Sequence, residues 1–238
     1  MSVPEGILLV NKPLGKTSFS LVGALRRILK VKTIGHAGTL DPLATGVMVL
    51  MVGKKYTRLS SQLLCQDKEY LAELSLGRTT DSYDADGKEL SVSSLIPSMK
   101  DVEKAVQLFQ GEIMQVPPMF SAKKINGQKL YDLARKGKLI DREPVKVVVK
   151  CELIHYTYPK LVLKVHCSKG TYIRSIAHDL GQQLGCGAFL SGLTRLRSGP
   201  FLLEDCIDGN LLFDHDATDS ARIQVYTALK HVSLPLTQ

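Results

Sequence analysis

Residues 47 to 53 read VMVLMVG, an uncharged apolar run of strand length that is rich in valine. It is best read as a β-strand buried on both faces. Upstream, Gly6 to Val10 is a second short apolar run, closed by the turn-forming NKPLGKTS. Leu21, Val22, Leu25, Ile28 and Leu29 then recur at helical spacing, with Thr17 or Ser18 placed to cap. Downstream, Glu69 to Leu76 reads as a strand and GRTTDSYDADG as an exposed loop. SMKDVEKAVQLFQG carries a capping box of Ser98 and Asp101, an apolar face of Val102, Ala105, Val106 and Phe109, and Gly111 as its stop. A further helix is expected over Gln128 to Lys136. VKVVVKCELIHY and LVLKVHCS flank Tyr158 to Lys160 as an antiparallel pair, and KGTYIRSIAHDLGQQLG is a last helix, with Thr171 as N-cap and Gly185 past its end. Strands and helices mixed without regular βαβ alternation argue for the α+β class.

Charge narrows the function. The 238 residues carry a net charge of +8, yet from Phe201 onward six acids face two bases, which leaves +12 for residues 1 to 200. Such a body attracts a polyanion, nucleic acid before membrane. The five cysteines form no C-x-x-C pair, which argues against a disulfide framework or a zinc site. MSVPEGILLV lacks the pattern of a signal peptide, and no apolar run approaches the roughly 18 residues of a membrane span. A soluble cytoplasmic protein is expected.

Against that basic background one carboxylate stands alone. Between Glu5 and Asp67, Asp41 in GHAGTLDPLATG is the only acid, against nine lysines and arginines. Asp before Pro42 is a common turn start. Alternatively, a carboxylate can be a covalent nucleophile toward an electron-poor centre such as a sugar anomeric carbon. His36 is a candidate orienting group. Arg174 falls in the first turn of its helix, where the macrodipole disfavours a cation by roughly 0.3 to 1 kcal/mol. It is either a solvated surface arginine or one offset by an anion, for which Asp41 is suitable. Gly15-Lys16-Thr17 imitates the end of a phosphate-binding P-loop, but Val10 stands where that pattern needs glycine and Pro13 removes a backbone donor.

GHAGTLDPLATG, DKEY at 67 to 70, RTTDSYDADG at 78 to 87, PPMFSAKKINGQKLYDLAR at 117 to 135 and HCSKGTYIRSIAHDLGQQLGCGA at 166 to 188 together resemble the TruB-type tRNA pseudouridine synthases, in the family's order. The resemblance implies a pseudouridine-synthase fold, a mixed and largely antiparallel sheet flanked by helices and loops. It implies conversion of uridine 55 in the tRNA T-loop to pseudouridine, without cofactor or metal. By the same resemblance Asp41 is the essential aspartate, Arg174 its arginine partner and Tyr70 the tyrosine that stacks on the target base. His36 braces the RNA after base flipping and Leu193 lines the pocket floor, while Lys123, Lys124, Lys129 and Arg135 grip RNA from an insertion at about 118–145. Residues 121 to 150 hold nine bases against three acids. The catalytic domain is expected over 1–200, with 201–238 a short acidic segment in place of the RNA-binding PUA domain that bacterial members commonly carry. The expected partner is the tRNA T-arm, bound by a monomer with no membrane or obligatory protein partner. The rivals are a non-catalytic tRNA-binding and RNA-folding protein, and the guide-RNA-dependent branch of the superfamily.

Overall fold

The computed structural model describes residues 4–121, 124–125, 128–131, 140–213 and 218–229. These form two compact units, one of residues 1–69 with 194–238, the other of 70–193.

In the first unit β1 (Gly6–Lys12), β2 (Ile34–Ala37) and β3 (Ala44–Val52) come from the N-terminal part of the chain. β3 is the VMVLMVG strand, and it is buried on both faces as its composition requires. It pairs antiparallel with β1, from Gly6 opposite Val52 to Lys12 opposite Gly46, and antiparallel with β2. Ile7, Leu9, Val47, Val49 and Met51 form one core face with Tyr56 and Leu63, which come from the short helices α2 (Lys54–Thr57) and α3 (Ser60–Leu64). Helix α1 (Ser18–Leu29) is capped by the Thr17 side chain, which accepts from the Ser20 N–H, and buries Leu21, Val22, Ala24, Leu25 and Leu29.

The second unit begins within β4 (Lys68–Leu76), whose buried and half-exposed residues alternate with period two. It contains the hairpin of β5 (Arg78–Thr80) and β6 (Glu89–Val92), then helix α4 (Met99–Gln107) and β7 (Gln110–Gln115). The short pair β8 (Lys124–Ile125) and β9 (Gln128–Lys129) follows, then the long antiparallel hairpin of β10 (Val145–Thr157) and β11 (Lys160–Cys167). Helix α5 (Ile173–Gln183) and β12 (Ala188–Ser198) close the unit, whose strand order is β12-β4-β11-β10-β7. β12 carries the chain back into the first unit. There β13 (Phe201–Leu202) pairs with it, β14 (Ile207–Asp208) runs parallel to β1, and α6 (Thr218–Ala228) follows. The expected mixed, largely antiparallel sheet is what forms.

Local expectations need four corrections. GRTTDSYDADG is not simply an exposed loop: Arg78–Thr80 is strand, and Thr79, Thr80, Ser82 and Asp84 are buried. Helix α4 has its capping box at Ser98 and Asp101, but it ends at Gln107. Gly111 lies instead inside β7 with φ of 77°, where it takes its place in the ladder opposite Val149. Gln128 and Lys129 are strand, not helix; helix begins at residue 130, and 132–139 lie outside the described residues. The N-cap of α5 is Tyr172 rather than Thr171, whose hydroxyl donates to the Ser168 carbonyl. The capping geometry shifts by one residue because Gln115, fully buried, grips both backbone groups of Tyr172: its amide donates to the Tyr172 carbonyl at 3.1 Å and accepts from the Tyr172 N–H at 2.7 Å. Among the described residues no helix is long and apolar enough to cross a membrane.

Candidate active site

The Asp41 segment is a turn, as its Asp-Pro sequence suggests: the Ala44 N–H donates to the Asp41 carbonyl at 3.0 Å. The turn is fastened on every side within the first unit. Ser18 Oγ both donates to the Leu40 carbonyl and accepts from the Leu40 N–H, at 3.0 and 2.9 Å. The Gly15 N–H reaches the Pro42 carbonyl at 2.8 Å, and the Gly46 N–H reaches Asn11 Oδ1 at 3.1 Å. Gly46 has φ of 103°, and a Cβ there would sit 2.3 Å from the Arg195 carbonyl oxygen. Only glycine permits that approach of two backbones.

Two buried cations complete the fastening. Lys12 is fully buried, and its ammonium donates to the carbonyls of Lys16, Pro13 and Pro42 at 2.6, 2.9 and 3.3 Å. Burial pushes this ammonium down to about 8; the Asp41 charge pulls it back up and Arg195 adds to the depression. Arg195, 1% exposed, donates from Nε to the Val47 carbonyl at 2.7 Å and from Nη2 to the Gly38 carbonyl at 3.2 Å. Backbone carbonyls thus replace the water that each cation gave up. His36, in β2, is half-buried; burial first, and then the Arg195 charge, hold its imidazole below the usual histidine range. Asp41 is therefore set on a rigid turn in an electropositive surrounding.

Lys12 and Arg195 are not among the residues the sequence nominates. Lys12 had a signal in strand period: it continues the inward row of Leu8 and Val10. Arg195 had little more than its place inside the long β12, since a fully buried charge is rare without dedicated partners.

The second unit holds Tyr70, Arg174 and Leu193. Tyr70 occupies an inward position of β4 and is 7% exposed; Leu193 is half-buried in β12. Arg174 is in the first turn of α5, as expected, but it is not a solvated surface residue. It is 6% exposed and forms an ion pair with Asp84, Nη1 to Oδ2 at 3.3 Å. Nη2 also donates to the Phe120 carbonyl at 2.7 Å, and Nη1 to the Ser82 carbonyl at 3.4 Å. Asp84 is itself oriented by the Ser82 hydroxyl and by the Asp86 N–H at 3.2 Å. The carboxylate that offsets the unfavourable helix-end charge within this unit is thus Asp84, from the RTTDSYDADG loop. Lys124 and Lys129 stand opposite each other in the β8–β9 register, while Lys123 and Arg135 lie outside the described residues.

Comparison with known proteins identifies the company this chain keeps. Residues 26–173 match the model of the TruB family pseudouridylate synthase N-terminal domain, and residues 174–237 that of the tRNA pseudouridylate synthase B C-terminal domain. A tRNA pseudouridine synthase B of Protochlamydia amoebophila is 63% identical over 205 residues, covering 86% of this chain and 78% of that protein. Its counterpart in Chlamydia pneumoniae is 60% identical over 219 residues, 92% of this chain and 93% of that one. Among solved structures, a chain in the crystal structure of a Cbf5-Nop10-Gar1 complex is similar at a TM-score of 0.70 and 29% identity; the match covers 95% of this chain and 60% of that one.

Proposed function

Because the chain belongs to the TruB family of pseudouridylate synthases, we propose that it isomerises uridine 55 in the T-loop of tRNA to pseudouridine, with Asp41 as the essential carboxylate. The enzyme class and the tRNA substrate follow from relatives that carry the name tRNA pseudouridine synthase B at 60 to 63% identity. The observation that carries the residue assignment is the fastened turn: a single carboxylate, held by carbonyl-bound cations, within the motif GHAGTLDPLATG.

In this reading the uridine is turned out of its stack, at a cost of a few kcal/mol. Its N1–C1′ bond breaks, either by attack of the Asp41 carboxylate on C1′ or by an elimination that gives a glycal. The freed uracil turns while held and C5 joins C1′, which expels the Asp41 carboxylate in the first route or is accompanied by return of the C2′ proton in the second; the C5 proton then leaves and N1 takes up a proton. The change is redox-neutral and requires no external energy. Arg174 serves as the cationic partner of Asp41, Tyr70 stacks on the base, His36 braces the RNA that remains and Leu193 lines the pocket floor. Lys123, Lys124, Lys129 and Arg135 grip phosphates from the insertion at about 118–145. The catalytic domain spans 1–200, the segment 201–238 is acidic and a poor phosphate binder, and the RNA element bound is the T-arm. The protein works as a monomer, without an obligatory protein partner, in the cytoplasm.

The test is tritium release from a tRNA transcript containing 5-³H-uridine, with the modified position mapped. Wild type should release tritium from one T-loop uridine, whereas Asp41→Asn should bind tRNA and release none. A wild type that binds and releases nothing would instead be an RNA-binding protein with a vestigial site.

A further inference from the structure

Helix α5 presents Arg174 and His178 one turn apart, on the same side of the helix. The loop that supplies the Arg174 carboxylate meets both of them. Asp84 pairs with Arg174, and the preceding residue, Tyr83, lays its ring on the His178 imidazole, with centroids 3.9 Å apart and planes 14° from parallel. Burial first, and then the Arg142 charge, hold His178 below the usual histidine range, which favours the uncharged ring. Its Nδ1 is buried without a hydrogen-bond partner, and the Tyr83 ring packs on its face.

Tyr83 is held in an unusual backbone state. Its φ is 65°, and the only other non-glycine residue at positive φ among those described is Lys30, at the end of a helix. A bulky residue in the left-handed region is strained unless its surroundings hold it there. The Leu190 N–H donates to the Tyr83 carbonyl at 2.9 Å, and the Ala85 N–H to the Leu190 carbonyl at 3.0 Å, which fixes the loop backbone against β12 on both sides of Asp84. The aromatic stack adds the hold on the α5 side. A loop that kept its pairing to β12 but relaxed at Tyr83 would turn Asp84 relative to Arg174.

We infer that the Tyr83–His178 stack is a positioning device for Arg174, fixing the strained loop so that Asp84 meets the guanidinium in one geometry. Neither ring takes part in the chemistry; each acts through the ion pair. The inference rests on the reading of Arg174 as part of the catalytic machinery.

The experiment compares Tyr83→Ala, His178→Ala, Tyr83→Phe and His178→Phe, each also combined with Asp84→Asn, by single-turnover tritium release and by Kd for tRNA. The alanine variants should slow the single-turnover rate about three- to tenfold with Kd unchanged, the range expected for losing one aromatic pair. The phenylalanine variants keep a stacking face and should recover to within about twofold. On the Asp84→Asn background the alanine substitutions should add nothing, because the ion pair through which they act is already lost. If an alanine variant does not fold, His178→Leu, which keeps apolar bulk without a ring, takes its place. Wild-type rates in the alanine or leucine variants overturn the inference, as does a loss that multiplies fully with Asp84→Asn. Weakened tRNA binding at an unchanged bound-state rate also overturns it, since the rings would then be substrate contacts. Arg174→Lys separates the two levels. If it is inactive while the stack variants are normal, only the positioning role fails; if it turns over like wild type, the catalytic reading of Arg174 fails and the inference falls with it.

Discussion

Arg174 and Asp84 form an ion pair at 3.3 Å in which the two side chains are 7% and 6% exposed. Removing one partner of such a pair leaves the other charge buried, at a cost of about 3 to 5 kcal/mol. Asp84→Ala should lose about that much in urea denaturation, and its tritium release should slow. The double change Arg174→Met with Asp84→Leu should recover most of the stability and none of the activity, because apolar side chains can replace the packing but not the charge.

Gly46 and Gly35 make a matched pair of tests at the two ends of the turn segment. An added methyl at Gly46 meets the Arg195 backbone at 2.3 Å, whereas at Gly35 it meets only the Met51 and Thr57 side chains at 3.6 Å. Gly46→Ala should therefore cost more than about 3 kcal/mol and Gly35→Ala less than about 1 kcal/mol, measured as shifts in the denaturation midpoint.

Lys12 should leave a signature in the pH dependence of stability. Its folded value of about 8 lies below the ordinary 10.5, so between those limits the unfolded chain binds more protons than the folded one. Stability contributed by this group therefore rises with pH across that window, and below pH 8 its burial penalty is present in full. Relative to Lys12→Met, wild type should gain roughly 3 kcal/mol from pH 8 to 10.5 in parallel denaturation series.

Arg197 and Asp67 meet in a two-pronged contact, at 3.1 and 3.0 Å, and look like a strong interaction. Asp67 is 42% exposed and Arg197 24%, so solvent screens the pair. Arg197→Ala should change stability by less than about 1 kcal/mol, well under the cost at Asp84.

The sequence was most legible where one local rule governed the outcome. VMVLMVG had to be a doubly buried strand, Ser98 and Asp101 had to cap, and Arg174 at a helix start had to be either solvated or matched by an anion. It was least legible where the partner was distant in the chain. No spacing rule links Asp84 to Arg174, or Gly38 to Arg195, because these contacts arise from which strands neighbour one another. Gly111 misled because a glycine after an apolar helical face reads as a stop, although its positive φ here serves a strand. Thr171 misled because its hydroxyl turns back to the Ser168 carbonyl, while a buried glutamine from β7 holds the backbone of Tyr172 at the N-cap. The lone Asp41 reads as either a turn residue or a reactive carboxylate. Its backbone makes the turn, as the Ala44 N–H bond to the Asp41 carbonyl shows.

The turn that carries Asp41 is completed by a residue made much later. Arg195 reaches the Val47 carbonyl across 148 positions and the Gly38 carbonyl across 157. At synthesis rates of about 5 to 20 residues per second, the carboxylate spends on the order of ten seconds without that anchor as the chain is made. The segment between them, residues 70–193, can gather into its own compact unit in the meantime. Ribosome-bound chains should thus acquire the second unit first, and the rigid carboxylate last.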